Sequence, residues 1–376
     1  TAEYVQIIKT MRYTFAYNHC THTIETNGIA PDDNTDAEIR TKLRDAGVSE
    51  VNIVADVIRY TAAQRSYHPV RDYLDSLKWN GEDVICTVSQ HFVCDAGEGD
   101  TFERFFRRWC IGAVARVMQN DAQNRVLLLA GEQGIGKDTF ARWLCSPLPD
   151  YYNDSAIRSE DKDHALRLLS VWIWNASEVG STMRKQDREA LKHWLTINFV
   201  RERKPYGRHD ITGYAMTSFI GSFNDDGSGV LNDSTGTRRF AIVPILKIDW
   251  GYTDCDINQL WAQAVTLYRA GEGWDFDRDE RELANAINEN YQTPDIVEDT
   301  LNKYFVIDPL NLETWTPTLE IVDTLKSPTA GNLKIADGQL PKDIARALKK
   351  MGLAKPQQRR EGDDRLRGYI GIKRRI

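Results

Sequence analysis

The 376-residue chain has no run approaching the roughly 18 uninterrupted apolar residues that a membrane helix needs. A helical membrane span is thereby excluded, and no membrane partner is expected. Paired cysteines are also lacking: the six, at 20, 86, 94, 110, 145 and 255, never stand at CxxC spacing. That speaks against a zinc ribbon or a disulfide framework and for a reducing cytoplasm. The opening Thr1-Ala2-Glu3 has neither an initiator Met nor a signal-like apolar run, so the chain reads as a piece of a longer protein with domains upstream. What the chain does have is aromatic mass, 10 Trp, 15 Tyr and 12 Phe, enough for packed cores and too much for wholesale disorder.

Charge is distributed unevenly. Residues 331–376 hold 13 Lys and Arg against 5 Asp and Glu, whereas residues 1–330 hold 35 against 50. An acidic body does not suit a protein that coats nucleic acid indiscriminately. A basic end is either one local docking surface for phosphates or a solvated tail.

Residues 12–25 alternate apolar and polar side chains up to the turn signal Asn27-Gly28, which predicts a strand or hairpin. Thr35 and Glu38 have capping-box spacing for a helix to about Arg44. Val51–Gln64 and Thr101–Met118 show helical spacing. Continuous apolar runs at Val126–Ala130, Leu168–Ala176 and Thr217–Phe223 have the form of strands buried on both faces. Their alternation with helical stretches predicts an α/β fold, a parallel sheet with helices on both faces. Arg104–Trp109 reads as a packing helix rather than an RNA-binding patch, and the segment around Lys185–Leu195 as an exposed amphipathic helix. His19, Cys20 and His22 imitate metal ligands, but strand neighbours point to opposite faces and no fourth ligand stands at sensible spacing, so zinc is not expected.

The end of the chain has a different pattern. A helical stretch from Pro341 to Met351 precedes two extended stretches, Lys355–Glu361 and Leu366–Ile372, around a Gly-Asp-Asp turn. Helix then hairpin is the sequence form of a winged helix. Ile344, Ala347 and Leu348 fall inward, leaving Lys342, Arg346, Lys349 and Lys350 for an outer face suited to a DNA major groove. Arg359, Arg360, Arg365 and Arg367 would let the wing grip phosphates. Ring assembly or protein contact is the competing use of such a domain.

The strongest chemical signal is Gly131-Glu132-Gln133-Gly134-Ile135-Gly136-Lys137-Asp138-Thr139, with GxxxxGK spacing between the Val126–Ala130 strand and a helix-like segment. Glycines let backbone N–H groups curl around a polyphosphate, the following helix presents its positive N-terminus, and Lys137 would neutralise the β- and γ-phosphates of ATP. Asp138 stands where a Mg²⁺-ligating Ser or Thr is usual, and Ser177, after the Leu168–Ala176 run, stands where a metal-binding Asp is usual. Glu178 keeps the position of the residue that orients the attacking water. Either the two positions have exchanged ligands, with Asp138, Ser177 and Glu178 still handling Mg²⁺, or both changes weaken metal binding.

Tyr67–Trp79, Gly112–Val117, the glycine loop, Lys204–Arg208, Phe219–Asn224 and Thr235–Phe240, in that order, resemble the virulence-associated E family, the ATPase part of phage- and mobile-element-encoded primase/helicase proteins. The resemblance implies a P-loop AAA+-like core similar to superfamily-3 helicases, which work on DNA as rings, usually hexamers. It also implies an upstream primase domain and a bacterial host cytoplasm. By the same resemblance Asn224 is a polar sensor of the γ-phosphate. Arg238 and Arg239 are the paired arginines, at least one acting on a neighbour's nucleotide. Arg203, Lys204, Tyr206 and Arg208 lie on a hairpin that meets DNA, nucleotide or a neighbouring subunit, and Ala215 stands where the family usually has another Arg.

The resulting expectation is a small N-terminal α+β domain (1–95), an ATPase core (96–290) and a C-terminal winged-helix-like basic domain (291–376). The expected activity is ATP-dependent translocation or unwinding of DNA, single-stranded or forked, by a homo-oligomeric ring. An ATP-regulated initiator or scaffold is the competing reading, and a metabolite kinase would leave the paired arginines and the basic end without a role.

Overall fold

The computed structural model describes residues 5–7, 10, 12–30, 32–48, 51–94, 100–157, 164–177, 191–203, 210–225, 237–291, 296–329, 331–336, 338–361 and 364–375. It forms two compact units, residues 1–292 and 293–376. In the first unit the alternating segment forms β1 (Phe15–Asn18) and β2 (Thr23–Thr26), an antiparallel pair, and β3 (Ser66–Tyr67) joins β1 in parallel. Helices α1 (Asp33–Asp45) and α2 (Val51–Ala63) share an apolar cluster with this sheet around Phe15, Ile39, Leu43, Val54 and Val57. The Thr35/Glu38 box does not form. Asp32 caps α1 instead, accepting from the backbone N–H groups of Asn34 (2.8 Å) and Thr35 (2.9 Å), while Glu38 pairs with Lys42 one turn on. The helix starts three residues earlier than the box implied, so Thr35 lies in its first turn and donates its own N–H to the cap.

Two short helices, α3 (Pro69–Ser76) and α4 (Val84–Ser89), lead to the strand β4 (Phe92–Cys94) and to α5 (Thr101–Met118), a helix buried along most of its length. Arg107 pairs with Glu272 (2.7 Å) and Arg108 with Glu280 (3.0 Å), so Arg104–Trp109 belongs to a packing helix, as its sequence suggests. Gly112 is required by a close approach: a Cβ there would stand 2.2 Å from Asn124 Oδ1. The buried Arg116 donates to the Thr217 and Ala122 carbonyls. The Gly112–Val117 motif is thus a joint between α5 and the segment entering the central sheet.

That sheet has six strands, in the order β4, β11 (Phe240–Ile248), β5 (Val126–Ala130), β10 (Ser218–Phe223), β7 (Ile173–Ser177), β6 (Tyr152–Asn153). All neighbours are parallel except β4, which runs antiparallel to β11 at the edge. The sheet is therefore mixed, where the sequence suggested a purely parallel one. Every residue of β5 and β10 is buried, as expected of strands covered on both faces.

Two readings need correction. The run Leu168–Ala176 is not one strand: its first part closes helix α7 (His164–Ser170), and β7 begins only at Ile173. A buried helix end and a buried strand have the same apolar composition, and periodicity cannot separate them over so few residues. β11, nine residues long and at the heart of the sheet, was not foreseen. Its Pro244, a residue that strand interiors usually exclude, pairs with Ala130 toward β5 and lies one residue ahead of Ile245, where pairing toward β4 begins.

Buried indoles tie the layers together. Trp109 Nε1 donates to the Phe219 carbonyl (2.9 Å), and Trp172 Nε1 to Ala113 (3.2 Å). Trp261, on α8 (Ile257–Arg269), donates to Leu144 (2.9 Å). The unit ends with α9 (Arg278–Asn290), opened by a capping box of Asp277 and Glu280.

The second unit packs α10 (Ile296–Tyr304), α11 (Thr318–Lys326) and α12 (Leu340–Lys350) around Leu301, Ile321, Leu325, Ile344 and Leu348. Strands β12 (Phe305–Ile307) and β13 (Trp315–Pro317) pair with the chain end: β14 (Gln357–Glu361) and β15 (Asp364–Ile370) form the expected hairpin, with β13 against β15 and β12 against β16 (Ile372–Arg374). Among the described residues, no helix is long and apolar enough to cross a membrane.

Candidate functional site

The glycine loop leaves the C-terminal end of β5, in the middle of the sheet, and enters α6 (Lys137–Leu144). Gly134 and Gly136 have φ of +84° and +101°, conformations that side chains resist. A Cβ on Gly131 would stand 2.2 Å from the Ile245 carbonyl, so β11 presses on the start of the loop and only glycine fits. From the other neighbour, the Phe223 carbonyl at the end of β10 accepts from Gly131 N–H (3.2 Å). Glu132 and Gln133 are exposed, Ile135 packs on the core, and Thr139 is exposed in the first turn of α6.

Lys137 is 7% exposed, and its ammonium donates to the Gly131 (2.7 Å) and Glu132 (2.6 Å) carbonyls of its own loop. Burial pushes its pKa below the ordinary lysine value, and neighbouring Asp138 partly restores it. Among the described residues, the hydrogen-bond partners of this buried ammonium are neutral carbonyls, which leave its charge uncompensated by direct contact.

Asp138 is fixed by two residues that the sequence reading missed. Its Oδ1 accepts from Ser222 Oγ (2.8 Å) on β10 and from Asn175 Nδ2 (3.0 Å) on β7. Both donors are buried polar residues on mostly apolar strands, and that was the available signal. Ser177 and Ser222 are register partners of adjacent strands. The side chain of Ser177 and all of Glu178 lie outside the described residues. Asn224 is exposed and directly follows β10, next to the loop.

Arg238 and Arg239 sit elsewhere. They form a single turn at the start of β11, whose Phe240 pairs with Val126, the first residue of β5. The glycine loop leaves from the last residue of β5, so the two features occupy opposite ends of the sheet, separated by about 16 Å of strand. The arginines line a cavity of about 580 Å³ together with Arg125 and Arg281.

Of the residues considered for nucleic acid, Arg203 extends from an antiparallel pair, β8 (Phe199–Glu202) and β9 (Ile211–Tyr214), whose connecting Lys204, Tyr206 and Arg208 lie outside the described residues. Ala215 is buried just after β9. In the second unit Arg346, Lys349 and Lys350 are exposed on α12, but Lys350 is engaged with Glu298 (2.8 Å) and Arg346 reaches Asp343 (3.3 Å). Arg359 lies over the Trp315 ring (5.6 Å), whereas Arg360 is directly opposite Arg365 on the hairpin.

Residues 74–293 match the model of the virulence-associated protein E-like domain, more than half of the chain. The apo structure of the NrS-1 C-terminal region (305-718) superposes with a TM-score of 0.52 at 12% identity, with 98% of each chain covered. An A-form apo structure of the same region gives 0.51 at 13% identity over the same shares. At such identity the likeness is one of fold. No curated protein matches the chain.

Proposed function

The chain belongs to the family of virulence-associated protein E-like domains, and from its glycine loop we propose an ATP-dependent DNA translocase or helicase acting in replication of a phage or mobile element. The observation that carries this reading is the buried Lys137 ammonium on the carbonyls of a positive-φ glycine loop, between a central strand and a helix N-terminus. Such a bed recognises a polyphosphate. The strand order β11-β5-β10-β7-β6 supports a P-loop AAA+ core, because the strand bearing the loop is flanked by two strands that come much later in the chain.

In this reading Gly131–Thr139 hold the phosphates of ATP. The residues present fit a divalent cation: Asp138 offers a carboxylate beside the loop, held by Ser222 and Asn175. Mg²⁺, when bound, supplies charge neutralisation across the phosphates. Ser177 adds a hydroxyl, Glu178 orients the attacking water and Asn224 senses the γ-phosphate. Arg238 and Arg239 cannot reach their own loop along the sheet, which favours a role on a neighbour's nucleotide in a ring. The helix–hairpin form of the second unit supports a winged helix, with Arg359, Arg360 and α12 docking DNA. The engaged Asp138 Oδ1 favours a second reading, an ATP-regulated initiator or scaffold with little hydrolysis.

Calorimetry of ATP binding, with Lys137→Ala alongside, tests the proposal. The wild-type protein is expected to release heat of binding that the variant loses, and DNA is expected to stimulate hydrolysis. Binding without DNA-stimulated hydrolysis selects the scaffold. No binding overturns both readings.

A further inference from the structure

The glycine loop has two sides, and they differ chemically. Toward β10 and β7 stand Asp138, Ser222 and Asn175, all polar. Toward β11 stands an aromatic ring. Trp250 opens the turn after β11, and its six-membered ring lies so close to the loop that a Cβ on Gly136 would stand 3.1 Å from Cζ2. The indole is 51% exposed, so it offers open π surface immediately beside the loop.

The ring is also rigidly mounted. It stacks at 26° on Tyr252 (6.2 Å), which is fully buried against Phe140 (5.3 Å) and Trp143 (5.2 Å) of α6, the helix that begins at Lys137. The turn is pinned by Asp249, which accepts from Gly251 N–H (3.3 Å) and meets His91 Nδ1 (3.2 Å). Asp249 N–H donates to the His91 carbonyl (2.8 Å), tying the turn to the end of α4 and β4. An exposed Trp fastened to the phosphate-loop helix is arranged for a ligand that the loop also holds.

We propose that Trp250 is the base-stacking residue of this site, taking a nucleoside triphosphate with its base over the indole on the β11 side and its terminal phosphates toward Asp138 on the β10 side. The assignment rests on the nucleotide reading above and adds to it the direction in which the ligand lies. Stacking is tolerant of base identity, since every base has a π face. Purine triphosphates, with the larger face, are expected to bind better than pyrimidine ones.

The test compares two probes on the full chain by calorimetry, ATP and inorganic tripolyphosphate, the latter having phosphates but no base. Trp250→Ala is expected to weaken ATP about tenfold or more while leaving tripolyphosphate unchanged, and Trp250→Phe to keep most of the ATP affinity. Unchanged ATP affinity in Trp250→Ala overturns the assignment. Equal weakening of both probes also overturns it, because the indole then only props the loop, as does loss of self-association with ATP affinity intact, which makes it a contact for a second copy. Lys137→Ala separates the two levels of inference: if it abolishes both probes while Trp250→Ala affects neither, the phosphate site stands and the base assignment alone fails. A wild-type protein that takes up neither probe removes both.

Discussion

At the scale of single residues, the consequential arrangement is a carboxylate following the loop lysine. A hydroxyl at that position would be a neutral ligand; Asp138 brings a charge, which here is oriented by Ser222 and Asn175. Holding one oxygen with two donors costs side-chain entropy in advance and leaves the other oxygen directed. Replacing Asp138 with Ser removes that carboxylate and leaves the proposed Mg²⁺ set with Glu178, the water-orienting residue, as its one acidic group. Mg²⁺-dependent ATP hydrolysis should then fall by about tenfold or more, the loss expected when a charged group that stabilises transfer is removed. A steady-state phosphate-release assay over a Mg²⁺ titration measures it, and a rise in activity would show the carboxylate to be inhibitory. The arginine pair was singled out by the family resemblance alone, whereas GxxxxGK and Asp138 were legible in the sequence because local spacing carries them. Ser222 and Asn175 were not, because their partner is 84 and 37 residues away.

Elements show the same division between local and distant causes. Helix α3 starts at Pro69 because His68 caps it: the ring Nδ1 accepts from Arg71 N–H (3.2 Å), which requires a neutral imidazole. Burial, assisted by the Arg71 charge, lowers the His68 pKa to about 4. The unfolded chain therefore binds this proton first. The fold keeps its full stability above the ordinary histidine pKa and loses part of it as pH falls toward 4, by an amount on the order of 3 kcal/mol. His68→Asn retains a capping acceptor without the titration, so its denaturant midpoint should vary less between pH 7 and pH 4 than that of the wild type. Parallel curves for the two proteins would refute the assignment. The turn at Asn27-Gly28, α2, α5, β5 and β10 were all readable from pattern. β11 was not: its Pro244 is a strand breaker by propensity, placed just ahead of Ile245, where pairing toward β4 begins.

For the whole molecule, the arrangement that matters is the separation of loop and arginines across the sheet. Five residues of β5 lie between them, and no side chain spans that distance within one chain. If Arg238 and Arg239 complete a neighbour's site, two inactive proteins should rescue each other. A mixture of Lys137→Ala with the double variant Arg238→Ala, Arg239→Ala pairs an intact loop on one subunit with intact arginines on the next, so part of the ATPase activity should return. Activity no higher than the sum of the separate variants would place the arginines in a structural role, against the cavity they share with Arg125 and Arg281.

The sequence by itself determined the glycine loop, the α/β class and the helix–hairpin end, because each follows from spacing within a short window: glycines where φ must be positive, apolar runs where both faces are covered, apolar residues three and four apart. Only the tertiary structure decided which strand neighbours which. With β10 and β11 set on either side of β5, Ser222 and Asn175 meet Asp138, Trp250 reaches Gly136, and Arg238 and Arg239 are carried to the far end. Sheet order is a long-range choice, made by burial of whole surfaces rather than by any local preference of the residues that end up in contact.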